Sequence, residues 1–248
     1  MKSFIGLTSI PNKITHDSYN RKCPGRAKMH TENKRMNIEE EQRKANAYYD
    51  KFSRIYDLAS PKSYYHKART VAVERLGLKE GYFVLNVPVG TGQNLEYFQQ
   101  YLHGTGLVLG VDISPGMLSK ARRKVEKNDW GNVELLERNV SDIDTRYVQE
   151  YTNGDGFDAV LCDLGLSGFP DWEEVIDHLL SILSAGGTIS IMDWYLDKPF
   201  LRGDFIKWIG KGEVDRPIWQ YLEKHVNEFL VDSSFCRGGV FVASGVKR

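Results

Sequence analysis

The chain predicts an α/β fold: a doubly wound, mostly parallel sheet of seven strands with helices on both faces and a terminal antiparallel hairpin. Three observations predict it. Short apolar runs alternate with helical stretches five times between Phe83 and Asp193. Four of the runs finish in a polar or acidic residue, at Asn86, Asp112, Asp163 and Asp193, where strands of such a sheet open onto a crevice. Two final extended runs are split by Gly238-Gly239, the mark of a hairpin.

At 248 residues the chain has room for one such domain and an extension, and can bury a core without a staple. Lysine plus arginine and aspartate plus glutamate balance at 33 each, so net charge gives no reason to expect nucleic acid or another polyanion. Cys23, Cys162 and Cys236 are isolated, with no C-x-x-C and no H-x-x-x-H. Neither a disulfide framework nor a metal site is expected, and a reducing cytoplasmic setting is. No apolar run reaches the roughly 18 residues of a membrane span.

Residues 1–43 scatter Lys13, Arg21, Lys22, Arg26, Lys28, Lys34 and Arg35 among polar residues with no period, and read as a flexible basic tail before a domain over 44–248. A solvated leader and a contact with nucleic acid or anionic lipid both suit that composition. Tyr49, Phe52 and Tyr56 then share one face of a helix over 47–58, a candidate lid, and a second helix over 64–76 ends at Gly77. The first strand, 83–87, breaks at Pro88-Val89-Gly90-Thr91-Gly92 into a helix beginning near Asn94. A strand over 107–111 ends in Asp112, and Ser114-Pro115 supplies an N-cap and first residue for a helix to about 127. A strand over 132–136, the turn Arg138 to Asp142 and a helix around Tyr147 follow, then a strand over 156–163 and a helix over 172–184. Ser184-Ala185-Gly186-Gly187 turns into a strand over 188–192. After an aromatic and charged insert over 194–215 come a helix over 217–229 and strands over 230–236 and 240–246, which add an antiparallel strand at one edge.

With these elements in order, the chain resembles the class I S-adenosylmethionine-dependent methyltransferases, in their small-molecule branch of quinone and phospholipid-amine enzymes. The likeness covers about Tyr48 to Lys247. It rests on Val84 to Gly92, on Gly110-Val111-Asp112-Ile113-Ser114 with Met117-Leu118, on Phe157-Asp158-Ala159-Val160, and on Leu183 to Thr188. It implies a Rossmann-like fold and S-adenosyl-L-methionine as cofactor. Asn86, Val87, Pro88, Gly90, Thr91 and Gly92 would then surround the cofactor's amino-acid portion, where glycine lets the backbone approach. Asp112 would accept the ribose hydroxyls, Ile113 and Met117 would lie by the adenine with Asn139 and Val140, and Asp163 and Leu164 would flank the methyl donor. Two positions depart from the family: Asn86 stands where an acid is usual, and Pro88 where the first glycine is. Asn86 can hydrogen-bond but cannot neutralise an ammonium group. A nicotinamide enzyme would want glycine at Leu95, and no phosphate-binding G-x-x-x-x-G-K-[ST] occurs.

Methyl transfer needs alignment and a nucleophile with a free lone pair. Candidate catalytic groups at strand ends are Asp163, Asp193 and Tyr195, with Asp197 beyond them; Tyr49, Tyr56 and His66 are candidates for lid and substrate contacts. The alternative for Asp193 is a loop cap, and for the tyrosines simple packing. The expected acceptor is a small molecule or lipid, with no obligate protein partner; peripheral membrane contact stays open because the insert sets Lys198, Arg202, Lys207 and Lys211 beside Trp194, Phe200 and Trp208. A catalytically silent cofactor-binding protein is the alternative function.

Overall fold

Tyr65, Ala68, Ala72 and Val73 recur at helical spacing, and this stripe buries one side of helix α1 (Lys62–Glu74). The computed structural model describes residues 62–195 and 214–248. The tail over 1–43, the helix over 47–58 with Tyr49 and Tyr56, and the insert from 196 to 213 with Asp197 lie outside the described residues.

After α1 the chain runs through β1 (Phe83–Asn86), α2 (Leu95–Leu102), β2 (Leu107–Asp112), α3 (Pro115–Asn128), β3 (Val133–Glu137), α4 (Thr145–Tyr151) and β4 (Phe157–Asp163). It continues with α5 (Trp172–Ile182), β5 (Leu183–Trp194), α6 (Ile218–His225), β6 (Val226–Ser234) and β7 (Val240–Lys247). The seven strands form one sheet in the order β3-β2-β1-β4-β5-β7-β6. Successive strands grow outward from β1 on one side and from β4 on the other, so the switch point falls between those two.

Strand alternation divides the apolar residues between two layers. Val84, Val108, Ala159, Leu161 and Met192 pack under α1, α2 and α3, through Ala68, Ala72, Leu95, Phe98 and Leu118. Leu85, Leu109, Val160, Ile189 and Ile191 pack under α4, α5 and α6, through Val148, Ile176, Leu179, Ile218 and Leu222. The helices cover both faces, as right-handed crossovers require.

The C-terminal elements differ from expectation in two ways. The helix expected over 217–229 stops at His225, and the strand begins at Val226, paired with Lys247. Val226 is 3% exposed and its side chain fills the space a Cβ on Gly245 would need, so strand pairing outweighs helical continuation. Nor does the antiparallel strand lie at the edge: β7 runs antiparallel between β5 and β6. Val240, Phe241, Val242 and Ala243 are apolar on both faces and go inside, whereas Asn227, Glu228, Ser233 and Ser234 leave β6 exposed at the rim.

Candidate active site

Asn86, Asp112 and Asp163 stand at the C-terminal ends of β1, β2 and β4. Each continues the alternation of Val84, Val108 and Leu161, so all three belong to the sheet face that α1 to α3 cover. Asp193 follows Ile189 and Ile191 and belongs to the other face, so it does not join them. It is fully buried, accepting the backbone N–H and hydroxyl of Ser167, both at 2.9 Å, and the N–H of Trp194 at 2.7 Å. Burial pushes its pKa up to about 6 against the pull of those three donors.

The turn after β1 is tied to both neighbouring strands. Val87 donates its N–H to the carbonyl of Leu161 at 2.9 Å, and Val89 to that of Val111 at 2.8 Å. Pro88, which has no N–H to give, sits between these bonded amides with its ring against Gly165, where a Cβ would collide with it. Gly90 (φ 55°) donates its N–H to Asp112 Oδ2 at 2.8 Å, and a Cβ placed on it would meet nothing within 4 Å. Gly92 (φ 74°) is different: a Cβ there would fall 2.9 Å from Leu95 Cδ1 and 3.2 Å from the Cβ of Ala121. Gly90 therefore keeps backbone open to a guest, while Gly92 allows α2 and α3 to pack.

Asp112 fixes two elements at once, because its other oxygen accepts the N–H of Ser114 at 2.9 Å. Ser114 in turn caps α3, its hydroxyl accepting the N–H of Met117 at 3.2 Å, and Pro115 holds the first helical position. Ile113 is half-buried and Met117 buried. Asn139 accepts the N–H of Ser141 at 3.1 Å and starts the short turn Val140–Asp142, in which Val140 is buried. Leu164 holds φ 54° immediately after Asp163, and its N–H reaches the carbonyl of Met192 at 2.7 Å. A non-glycine residue in that region marks a local constraint at the end of β4.

Asp163 carries the feature the sequence reading missed. Arg69 on α1 donates Nε–H to Asp163 Oδ2 at 2.9 Å, and Asn94 donates Nδ2–H to the same oxygen at 2.9 Å. Arg69 also bonds Gln93 Oε1, and its guanidinium lies 5.5 Å from the centre of the Tyr65 ring. Arg69 is 3% exposed and Asp163 8%. The signal was present: Arg69 falls four residues after Tyr65 and three before Ala72, inside the apolar stripe of α1.

Around this pair, His66 is exposed and its Nδ1 lies 2.7 Å from the hydroxyl of Tyr97, whose pKa burial raises. Tyr65 accepts Trp194 Nε1–H at 3.3 Å and is pushed up to about 12 by burial. Tyr195 lies elsewhere, its ring edge-on to Trp219 at 4.1 Å, with Trp219 packed on Phe241. Cys162 is buried in the sheet and its thiol pKa is raised by burial.

A family described as a methyltransferase domain matches residues 84–187, from β1 into β5. Those residues carry a methyltransferase domain. Among relatives of this methyltransferase, the demethylmenaquinone methyltransferase of Listeria welshimeri is 28% identical over 158 residues, which cover 62% of this chain and 64% of that one. The matched segment thus spans less than two thirds of that relative. An S-adenosylmethionine-dependent methyltransferase of Aquifex aeolicus superposes with TM-score 0.58 at 20% identity, over 79% of this chain and 98% of the other. Phosphoethanolamine N-methyltransferase 2 of Haemonchus contortus, solved with phosphomonomethylethanolamine and S-adenosylhomocysteine, gives 0.60 at 15% identity, over 73% and 52%. At those identities the likeness is one of fold.

The methyltransferase site suits its cofactor by its own chemistry. Asp112 offers a carboxylate at the end of β2, accepting the amides of Gly90 and Ser114, and a carboxylate is the acceptor that ribose hydroxyls need. Gly90 leaves open backbone, and the Oδ1 atoms of Asn86, Asn94 and Asp163 are buried acceptors with no donor.

Proposed function

We propose that the protein transfers a methyl group from S-adenosylmethionine to a small-molecule or lipid-like acceptor of amine, phenol or quinone type. The observation that carries this reading is that Asn86, Asp112 and Asp163 end neighbouring strands on one face at the switch point of the sheet, with Gly90 bonded to Asp112. The quinone-methylating relative and the phosphoethanolamine-methylating fold neighbour support the acceptor class. Among the described residues no helix is long and apolar enough to cross a membrane.

The cofactor, when bound, supplies an electrophilic methyl group on a sulfonium. The protein's part is to hold and align. Asp112 takes the ribose, with Ile113, Met117, Asn139 and Val140 around the adenine; Val87 to Gly92 form the cradle for the amino-acid portion. Asp163 and Leu164 set the position of the reacting end. Asp193 acts through Ser167, by holding the turn that follows β4, and Tyr195 anchors the start of the insert on Trp219. His66, paired with Tyr97, borders the acceptor side. A silent cofactor-binding protein is the second reading, favoured by the neutral Asn86.

The test incubates the protein with methyl-labelled S-adenosylmethionine and a cell extract, followed by fractionation. Label in the lipid or small-molecule fraction is expected. Label in RNA would overturn the acceptor class, and no label despite tight cofactor binding would favour the silent reading.

A further inference from the structure

We infer that the chain holds a second small-molecule site, at the opposite end of the sheet from the methyl-donor crevice, and that it takes a small zwitterion of the free amino-acid class, whose carboxylate Arg75 grips. A cavity of about 390 Å³ lies there, within the size range of small-ligand sites. The fold sets its wall. The chain leaving α1 passes it at Arg75, Lys79 and Tyr82, Asp158 stands at the start of β4, and β6 and the last residues of β7 contribute Glu228 and Ser244. Asp158 and Asp163 are five residues apart along β4, roughly 16 Å at about 3.3 Å per residue, so a guest here lies clear of the crevice.

The guanidinium of Arg75 carries the inference. It donates Nη1–H to the carbonyl of Val242 at 2.9 Å and reaches that of Leu230 at 3.4 Å. Nε and Nη2 are left with no acceptor among the described residues, and they form the edge of the group that meets a carboxylate with two parallel hydrogen bonds. No described carboxylate forms an ion pair with Arg75. The side chain is half-buried, and burial holds its pKa below the ordinary arginine value, with Asp232 opposing from beyond ion-pair distance. A half-buried cation short of a counter-ion gains from an anion that reaches its unused edge.

The other charges of the wall decide which anion. Lys79 lies over the Tyr82 ring, 5.9 Å from its centre. Asp158 gives Oδ2 to the N–H of Phe83 at 2.7 Å, and Glu228 is exposed. Arg75 and Lys79 thus share one cavity with Asp158 and Glu228, and the four formal charges cancel. A phosphate monoester would set nearly two negative charges against those acids. A zwitterion brings one carboxylate for Arg75 and one ammonium for the acidic side, and leaves the cavity neutral.

Calorimetry on the full chain, with each of the twenty common amino acids as probe and S-adenosylhomocysteine present at saturation, tests this. At least one amino acid should bind with a Kd below about 1 mM. For the tightest of them, the carboxamide, which lacks the carboxylate, and the deamino acid, which lacks the ammonium, should each bind about tenfold more weakly or worse. Arg75→Gln should weaken the amino acid by a similar factor, and Arg75→Lys, which keeps the charge and loses the fork, should reduce its advantage over the carboxamide. No binding by any amino acid, tighter binding of inorganic phosphate than of all of them, equal affinity for the carboxamide, or undiminished affinity in Arg75→Gln would overturn the inference. Binding seen only when S-adenosylhomocysteine is left out would place the amino acid in the methyl-donor crevice and overturn it too. The wild-type comparisons need no variant, so they decide even where a change at Arg75 fails to fold.

Discussion

Arg69 and Asp163 form an ion pair almost closed from water, and such a pair is worth most when one partner is removed. Arg69→Met leaves a buried carboxylate with Asn94 as its remaining side-chain donor among the described residues. Urea denaturation of that variant should show a loss of about 3–5 kcal/mol; a loss below about 1 kcal/mol would mean the pair contributes no more than a surface one. Asp193 gives a second prediction, in pH. Its folded pKa of about 6 lies above the ordinary 3.8, so the folded state keeps a proton that the unfolded chain has lost. The proton's contribution favours the fold below about pH 4 and is lost as pH rises to about 6, on the order of 3 kcal/mol. The stability of the wild type minus that of Asp193→Asn should fall by that order across this window, and a flat difference would contradict the burial argument. Asp163 was legible in the sequence because an acid ending an apolar run has few structural reasons to be there. Arg69 was not, because charge on a helix is ordinarily a solvated face and only its register within the stripe of α1 says otherwise.

The turn between β1 and α2 separates two glycines by what surrounds them. Gly92→Ala would force a Cβ onto Leu95 and Ala121 at a positive φ, and should lower stability by about 1–3 kcal/mol in thermal melts. Gly90→Ala meets no neighbour and costs only the backbone conformation, about 1–2 kcal/mol. Its new methyl group would enter open space that the proposed site gives to the cofactor, so it should cut S-adenosylmethionine affinity about tenfold or more, against little change for Gly92→Ala once folded. Equal affinities in the two variants would contradict the division of roles. The sequence carried this turn and the caps around it because they are local: Ser114-Pro115 specifies the start of α3 wherever it is placed. It misplaced the end of α6, since Val226 reads equally well as helix or strand until β7 lies beside it. Which of the last two strands goes inside was nonetheless written in their composition, with β7 apolar at consecutive positions and β6 not.

At the scale of the molecule, the strand order lets one carboxylate tie the turn after β1 to the start of α3. β1 lies between β4 and β2, so the turn after β1 is tied from both sides, at Val87 from β4 and at Val89 and Gly90 from β2. Asp112 makes the last of these ties, bonding Gly90 across the strands and Ser114 along its own chain. Asp112→Ala therefore removes the proposed ribose acceptor and the support of the turn together. A ligand that binds only the folded state stabilises by RT ln(1 + [L]/Kd), about 2.7 kcal/mol at a hundredfold excess over Kd. Wild-type protein should gain that much from S-adenosylmethionine in denaturant titrations, with a midpoint that climbs with ligand concentration. Asp112→Ala should gain nothing measurable over the same range, while Asp112→Asn, which keeps one oxygen for Gly90 or for a hydroxyl, should gain less than the wild type and more than alanine. A full ligand response in Asp112→Ala would place the cofactor away from the switch point, and the residues gathered there would then be architecture alone.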